Sequence, residues 1–413
     1  MDLNYYLSTY YIMNYKLLYN KVDNTIPSKY ESKNNAEYTT PYKLRSEMLD
    51  SIPEEFWQTP KKVLEPCCGK GGFVISIIEK FNKYLDMKTI LEECVYFSDI
   101  NKDNVDFVIN LLNFEYKLNY KVCDVLKLDW SGFDAVITNP PFEDRNKCGK
   151  TQHKLWVKIT KRIFSNYLKD GGLLLQITPF SFGSPSNKLF KLFKEKQVKY
   201  INFGKQYYFK NVNVNMAWYL IYNNNNDNDT LIDNKYEINL KKCLYLPNDI
   251  KSIDIHKKVM FNDKQKYNVL HDFNTLHNIR RYDENPVLSE VKTDKHIHPV
   301  FHTNRKVWYS SITNKHTKNK KVIWSKSGYT KPIYDKGIYS MTDFGFYILV
   351  NTDEEGENIV HNLNSKLFRY IFKTAKWCGF GDHNVFANIP VLPNRKMTDK
   401  ELCEYFDIKF SIE

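Results

Sequence analysis

The chain has little that could bind a metal, cross a membrane or leave the cell. Its eight cysteines, at positions 67, 68, 94, 123, 148, 243, 378 and 403, make no Cys-x-x-Cys pair and no zinc spacing. They read as reduced thiols of an intracellular protein. His296, His298, His302 and His316 fall close together, but at irregular spacing and without a neighbouring cysteine, so no metal is expected. Apolar runs are short and broken by charge, which argues against a helical membrane span. The amino end is rich in Tyr and Asn and lacks the basic-then-apolar order of a secretory signal. Phosphate loops are missing too: Lys70 is followed by Gly71 rather than Ser or Thr, and no GxGxxG stands in register. About 38 residues precede the first motif, too few for a nuclease domain, and Glu290-Val291-Lys292 has its preceding acids too close for a nuclease core.

What is present centres on Thr138-Asn139-Pro140-Pro141-Phe142, directly after the apolar run 133–137. An Asn side-chain oxygen and the carbonyl of the following Pro can both accept hydrogen bonds from one planar NH2 group, drawing its lone pair out of conjugation toward an electrophile. Pro140 and Pro141 stiffen the turn, and Phe142 offers a ring on which an extruded base can stack. The plain alternative is a Pro-Pro loop with an Asn before it by chance.

Upstream, residues 63–73 read as strand, glycine turn and helix, with Glu65-Pro66-Cys67-Cys68-Gly69-Lys70-Gly71-Gly72 at the turn. Glycines let the backbone approach a bound nucleoside, and the helix start supplies N–H groups. Two further acids stand where strands should end. Asp99, followed by Ile100, closes the apolar run 94–98 and suits the ribose hydroxyls of a nucleoside cofactor; Asp124 closes 120–123 and could accept from an adenine amino group. Cys67 and Cys68 are expected to be small fillers rather than nucleophiles.

With these motifs in order, the chain resembles gamma-class amino DNA methyltransferases of the TaqI type, acting on adenine N6. The resemblance covers roughly residues 38–222. In it, Thr40-Pro41 and residues 43–48 correspond to the opening motif that touches the methionine end of S-adenosylmethionine. Residues 63–73 correspond to the cofactor loop, with Glu65-Pro66 in place of the commoner Asp-Pro. Asn139, Pro140, Pro141 and Phe142 correspond to the catalytic loop, residues 171–179 to the strand after a helix over 154–168, and Phe209 to an aromatic that stacks on the flipped base. The resemblance therefore implies an α/β, Rossmann-like S-adenosylmethionine-dependent domain. It implies cofactor contacts from Thr40, Pro41, Glu65, Pro66, Gly69, Gly71, Asp99, Ile100, Asp124 and Asn139. Rivals that share the Asn-Pro-Pro chemistry are an RNA adenine-N6 enzyme, a cytosine-N4 enzyme, a protein-glutamine enzyme and an inactive DNA-binding subunit.

Charge is unevenly distributed. Residues 1–150 hold 19 Lys and Arg against 22 Asp and Glu, leaving 41 against 26 in the rest of the 413-residue chain. Residues 291–336 alone carry eleven cations and two acids, interleaved with Trp308, Tyr309, Trp324, Tyr329 and Tyr334. Such mixing suits a nucleic-acid backbone and its bases, and Arg305, Lys306, Lys321 and Lys326 are the candidate contacts. A solvated Lys-rich face over core aromatics is the plain alternative. The Asn- and Asp-rich run at 223–229 marks a boundary. The expected organisation is an extension (1–37), a catalytic domain (38–222), a linker (223–232) and a mixed α+β DNA-recognition domain (233–413). Double-stranded DNA is the expected partner, wherever that DNA resides, whether cytoplasm, nucleoid or viral factory. There is room for a separate cognate restriction endonuclease, and a monomer is favoured over an oligomer.

Overall fold

The computed structural model describes residues 15–23, 39–112, 115–143, 155–209, 215–225, 229–272, 276, 286–303, 306–327, 331–377 and 380–409. They fall into two compact units, one of residues 1–180 and 191–241, the other of 181–190 and 242–413.

The first unit is built on a nine-stranded sheet. Its strands are β1 (Val63–Glu65), β2 (Val95–Asp99), β3 (Asn119–Val122), β4 (Phe133–Thr138), β5 (Leu168–Pro179), β6 (Lys196–Asn202), β7 (Met216–Asn225), β8 (Thr230–Ile232) and β9 (Tyr236–Ile238). They lie in the order β3-β2-β1-β4-β5-β7-β6-β8-β9. From β3 to β5 all pairs are parallel, and β7 runs antiparallel to both neighbours. The expected α/β sheet is therefore present. β1 and β4 read as nearly unbroken apolar runs because both faces are covered, as central parallel strands require.

Helices α1 (Tyr15–Asp23), α2 (Tyr42–Leu49), α3 (Gly72–Phe81), α4 (Lys102–Leu112) and α5 (Leu155–Arg162) accompany this sheet. Pro41 stands just before α2 with φ −63°, and its carbonyl accepts from the N–H groups of Leu44 and Arg45, so the ring starts the helix without a missing donor. α3 buries seven of its ten residues, among them Phe73, Val74, Ile77 and Phe81, which join Leu44, Met48, Val105 and Val108 in one core. α5 is shorter than the expected helix 154–168; a wider turn over Ile163–Tyr167 follows and leads straight into β5.

The stretch expected as a linker, 223–232, holds strand at both of its described ends. Asn223 to Asn225 end β7, residues 230–232 form β8, and the sheet continues through β9 before the first unit ends at Lys241. Asn223 Nδ2 donates to the Lys169 carbonyl, so an asparagine that reads as loop material is satisfied inside the sheet.

The second unit contains two four-stranded sheets. One has β10 (Val269–Leu270), β17 (Gly345–Leu349), β14 (Lys321–Ser325) and β15 (Ile333–Asp335) side by side, all antiparallel. The other orders β11 (Leu288–Ser289), β13 (Lys306–Ser310), β12 (His298–Thr303) and β16 (Ser340–Met341). Helices Asp353–Leu363 and Lys366–Thr374, capped by Thr352 and Ser365, pack Ile359, Leu363, Leu367, Phe368 and Ile371 into a core with Trp324 and Phe346. Among the described residues no helix is long and apolar enough to cross a membrane.

Candidate active site

The parallel strands β2, β1 and β4 end side by side, and open α/β sheets bind ligands at such carboxyl ends, where strand order reverses. Here that point lies between β1 and β4. Thr138, the last residue of β4, donates from Oγ1 to Glu65 Oε1 of β1 at 2.7 Å. Cys67 N–H donates to the same oxygen at 3.0 Å. Glu65 is 1% exposed, and loss of water pushes its carboxyl up to about 8 against the pull of both donors. A carboxyl so placed gains from a cationic or donating ligand.

The glycine turn beside it needs its glycines. Gly69 and Gly71 have φ of 49° and 82°. A Cβ on Gly71 would lie 2.7 Å from Val108 Cγ2 of α4, while one on Gly69 would meet nothing within 4 Å. The turn is thus packed on one side and open at Gly69. Burial drives the Cys67 and Cys68 thiols well above their ordinary range, which is the state of fillers rather than nucleophiles.

Asp99, at the end of β2, accepts from Gly69 N–H and from Asn101 N–H, both at 2.9 Å. It fixes the glycine turn. The Asp99 carbonyl accepts from Cys123 N–H at 2.9 Å, which brings the end of β3 alongside; Asp124 then accepts from Leu126 N–H through Oδ1. Pro66 is buried and Ile100 is 71% exposed.

Asn139 follows β4. Its Nδ2 donates to Thr40 Oγ1 at 3.0 Å, across 99 positions of sequence. That bond joins Thr40 to the loop after β4, with the amide nitrogen donating to the hydroxyl oxygen. Pro140 is buried, Pro141 and Phe142 are half-buried, and the Phe142 ring packs against the main core. Phe209, at 7% exposure, belongs to that core, with Met216 and Trp218. The aromatic with an open face in this stretch is Tyr207, 70% exposed and set against Tyr208 at 4.3 Å between ring centres.

Glu47 of α2 also ties this framework together. It accepts from Trp218 Nε1 at 2.9 Å and from Tyr208 Oη at 3.3 Å, and pairs with Lys205 at 2.6 Å, holding α2 to β7 and to the turn before Phe209. An acid on an amphipathic helix carries no mark in sequence of the indole it will meet.

The four candidate nucleic-acid contacts do not share a surface role. Lys321 is fully buried in β14, paired with Asp335 at 2.6 Å and donating to the carbonyls of His316, Thr317 and Asn319. It is a structural lysine and cannot meet a phosphate. Lys306 is exposed and 3.6 Å from Glu290, Lys326 is half-buried, and Arg305 lies outside the described residues. Trp324 is likewise core, so the cation and aromatic alternation of 321–326 reflects a buried strand. Among the described residues no cluster of His, Cys, Asp or Glu could hold a metal.

Residues 25–167, which carry every element of this site before β5, match the family model described as N-6 DNA Methylase. That stretch is similar to N-6 DNA methylases. Over 159 residues the chain is 26% identical to the modification methylase CviBIII of Paramecium bursaria Chlorella virus NC1A, a match covering 36% of this chain and 39% of that one. The chain thus spans about two fifths of the length of this curated relative. Among solved structures, a DrdV–DNA complex superposes with a TM-score of 0.52 at 11% identity, covering 92% of this chain and 58% of that one. A modification subunit of a putative type I restriction enzyme from Vibrio vulnificus YJ016 covers 49% of this chain and 48% of its own, at 16% identity and a TM-score of 0.38. The DrdV superposition shows a shared fold alone.

Proposed function

We propose that this chain methylates N6 of an adenine turned out of duplex DNA, using S-adenosylmethionine. The observation that carries the reading is Asn139, at the carboxyl end of β4 inside the stretch matching the N-6 DNA methylase model, with its amide nitrogen bound to Thr40. Its oxygen and the Pro140 carbonyl would accept the two protons of the adenine amine, leaving the nitrogen lone pair available. Phe142 would lie against the base, with Tyr207 in place of the buried Phe209 as the second aromatic. Glu65, Asp99 and Asp124, with the turn at Gly69 and Gly71 and the opening motif Thr40-Pro41, would hold the cofactor. The fit rests on the desolvated Glu65 carboxyl and the open space over Gly69. When bound, S-adenosylmethionine supplies a methyl group already activated on a positive sulfur. Holding the amine in line with that methyl is where the rate would arise; such positioning is worth roughly 7–11 kcal/mol.

DNA is favoured as substrate by the matched relatives, a modification methylase and a protein solved bound to DNA, and by the basic second half. Recognition by the second unit, and a separate restriction partner of the kind modification enzymes serve, belong to the same proposal. Purified protein with labelled S-adenosylmethionine and either duplex DNA or structured RNA, followed by digestion to nucleosides, tests it. N6-methyladenine in DNA, lost by about a hundredfold or more in Asn139→Ala, is the expected result. Label confined to RNA, or on cytosine, would overturn the substrate assignment.

A further inference from the structure

One fully buried charge in the first unit is left over by this chemistry. Arg45, on α2 within the stretch of the opening motif, is 0% exposed, and neither the motif nor the proposed chemistry gives its charge a task. Its Nε donates to Ser76 Oγ of α3 at 3.1 Å. Its Nη1 donates to Asp23 Oδ1, the last residue of α1, at 2.9 Å and also to the Thr40 carbonyl. Nη2 has no hydrogen-bond partner among the described residues. The guanidinium lies over the rings of Tyr19 and Tyr42, and Gly72, the first residue of α3 after the glycine turn, leaves no room for a Cβ because Arg45 Nη1 would be 2.8 Å away.

An ion pair with one partner buried is weak evidence of stabilisation, since taking the guanidinium out of water costs about as much as the attraction returns. One with a donor unsatisfied is weaker still. What this one does fix is Thr40: the carbonyl is held by Arg45, and the hydroxyl of the same residue holds Asn139 Nδ2 at 3.0 Å. Two hydrogen bonds therefore separate the Asp23–Arg45 pair from the amide. A Thr40 released from Arg45 would let the Asn139 amide shift or turn, and a turned amide sets donors against the donors of an incoming amine.

We propose that Arg45 is a positioning residue that keeps the Asn139 oxygen toward the acceptor amine, and that α1, through Asp23, makes it competent to do so. The inference rests on the reading of Asn139 given above. It assigns to the amino-terminal helix a part in catalysis without contact to substrate or cofactor.

The test compares the full chain with Asp23→Ala and Asp23→Glu, since Asp23 keeps 30% side-chain exposure and can be changed without opening the core. In Asp23→Ala the saturated kcat for methyl transfer to duplex DNA should fall about ten- to a hundredfold with KM for DNA unchanged, and Asp23→Glu should recover most of it. Backbone hydrogen exchange should quicken in the segment 136–143 as well as in α1 and α2. A kcat per folded molecule equal to the parent's, with only a lower melting temperature, would overturn the proposal. So would faster exchange confined to α1 and α2. If the parent protein itself transfers no methyl group to adenine, the functional reading fails, and hydrogen exchange at 136–143 still decides whether Asp23 governs the Asn139 loop.

Discussion

Glu65 stores a measurable penalty. Its carboxyl titrates near 8 in the fold and close to its ordinary value in the unfolded chain, because burial opposes the charged form. The folded state therefore holds the proton more tightly. Stability from this group is complete below the unfolded pKa and is lost as pH rises through the folded one, on the order of 1.4 kcal/mol for each pH unit of that window. Melting temperatures of the ligand-free protein and Glu65→Gln between pH 5 and pH 9 should diverge, the parent falling relative to the variant. Parallel curves would show that Glu65 is ionised throughout. Gly71 makes a separate residue-scale claim. With φ of 82° and Val108 Cγ2 2.7 Å from the place of a Cβ, Gly71→Ala meets both backbone strain and overpacking. It should lose about 1–3 kcal/mol in urea unfolding.

At the scale of elements, what was legible depended on how local the signal is. β1, β2 and β4, the helix after the glycine turn and the three acids at strand ends are each announced within a dozen residues, since a buried parallel strand must be apolar and an active turn must be glycine. Partners distant in sequence left no such mark. Thr40 with Asn139, Glu47 with Trp218 and Arg45 with Asp23 each require the fold to be assembled before they exist. Polar composition misled at two places. The asparagines at 223–225 complete a strand, and Lys321, read as a phosphate contact, is the buried partner of Asp335 in the sheet of β14 and β15. Burial also depresses the Lys321 ammonium pKa, opposed by the Asp335 carboxylate. Lys321→Ala would leave Asp335 buried without its cation and should cost about 3–5 kcal/mol, seen as a lower urea midpoint. An unchanged midpoint would show that the pair opens to water at little cost.

For the whole molecule, the decisive property is the segregation of charge. A chain with net +12 that holds its amino-terminal 150 residues slightly acidic carries its excess of cations in the remaining sequence. On the proposed reading that the chain binds duplex DNA, counterion release makes affinity fall linearly on a log–log plot against salt, with a slope of about −0.9 for each phosphate contacted. Exposed and buried lysines contribute differently to that slope. Lys306 keeps 65% side-chain exposure, and its 3.6 Å pairing with Glu290 is too solvated to hold it back. Lys306→Ala should lower the slope by about one contact and weaken binding alike on all sequences. Lys321→Ala should leave the slope unchanged in the folded fraction, because its ammonium is already spent inside β14. Fluorescence titrations of duplex DNA across salt, made for the parent and both variants, read the difference directly. Equal slopes for the parent and Lys306→Ala would remove β13 from the binding face and shift the search to other cations of the basic half.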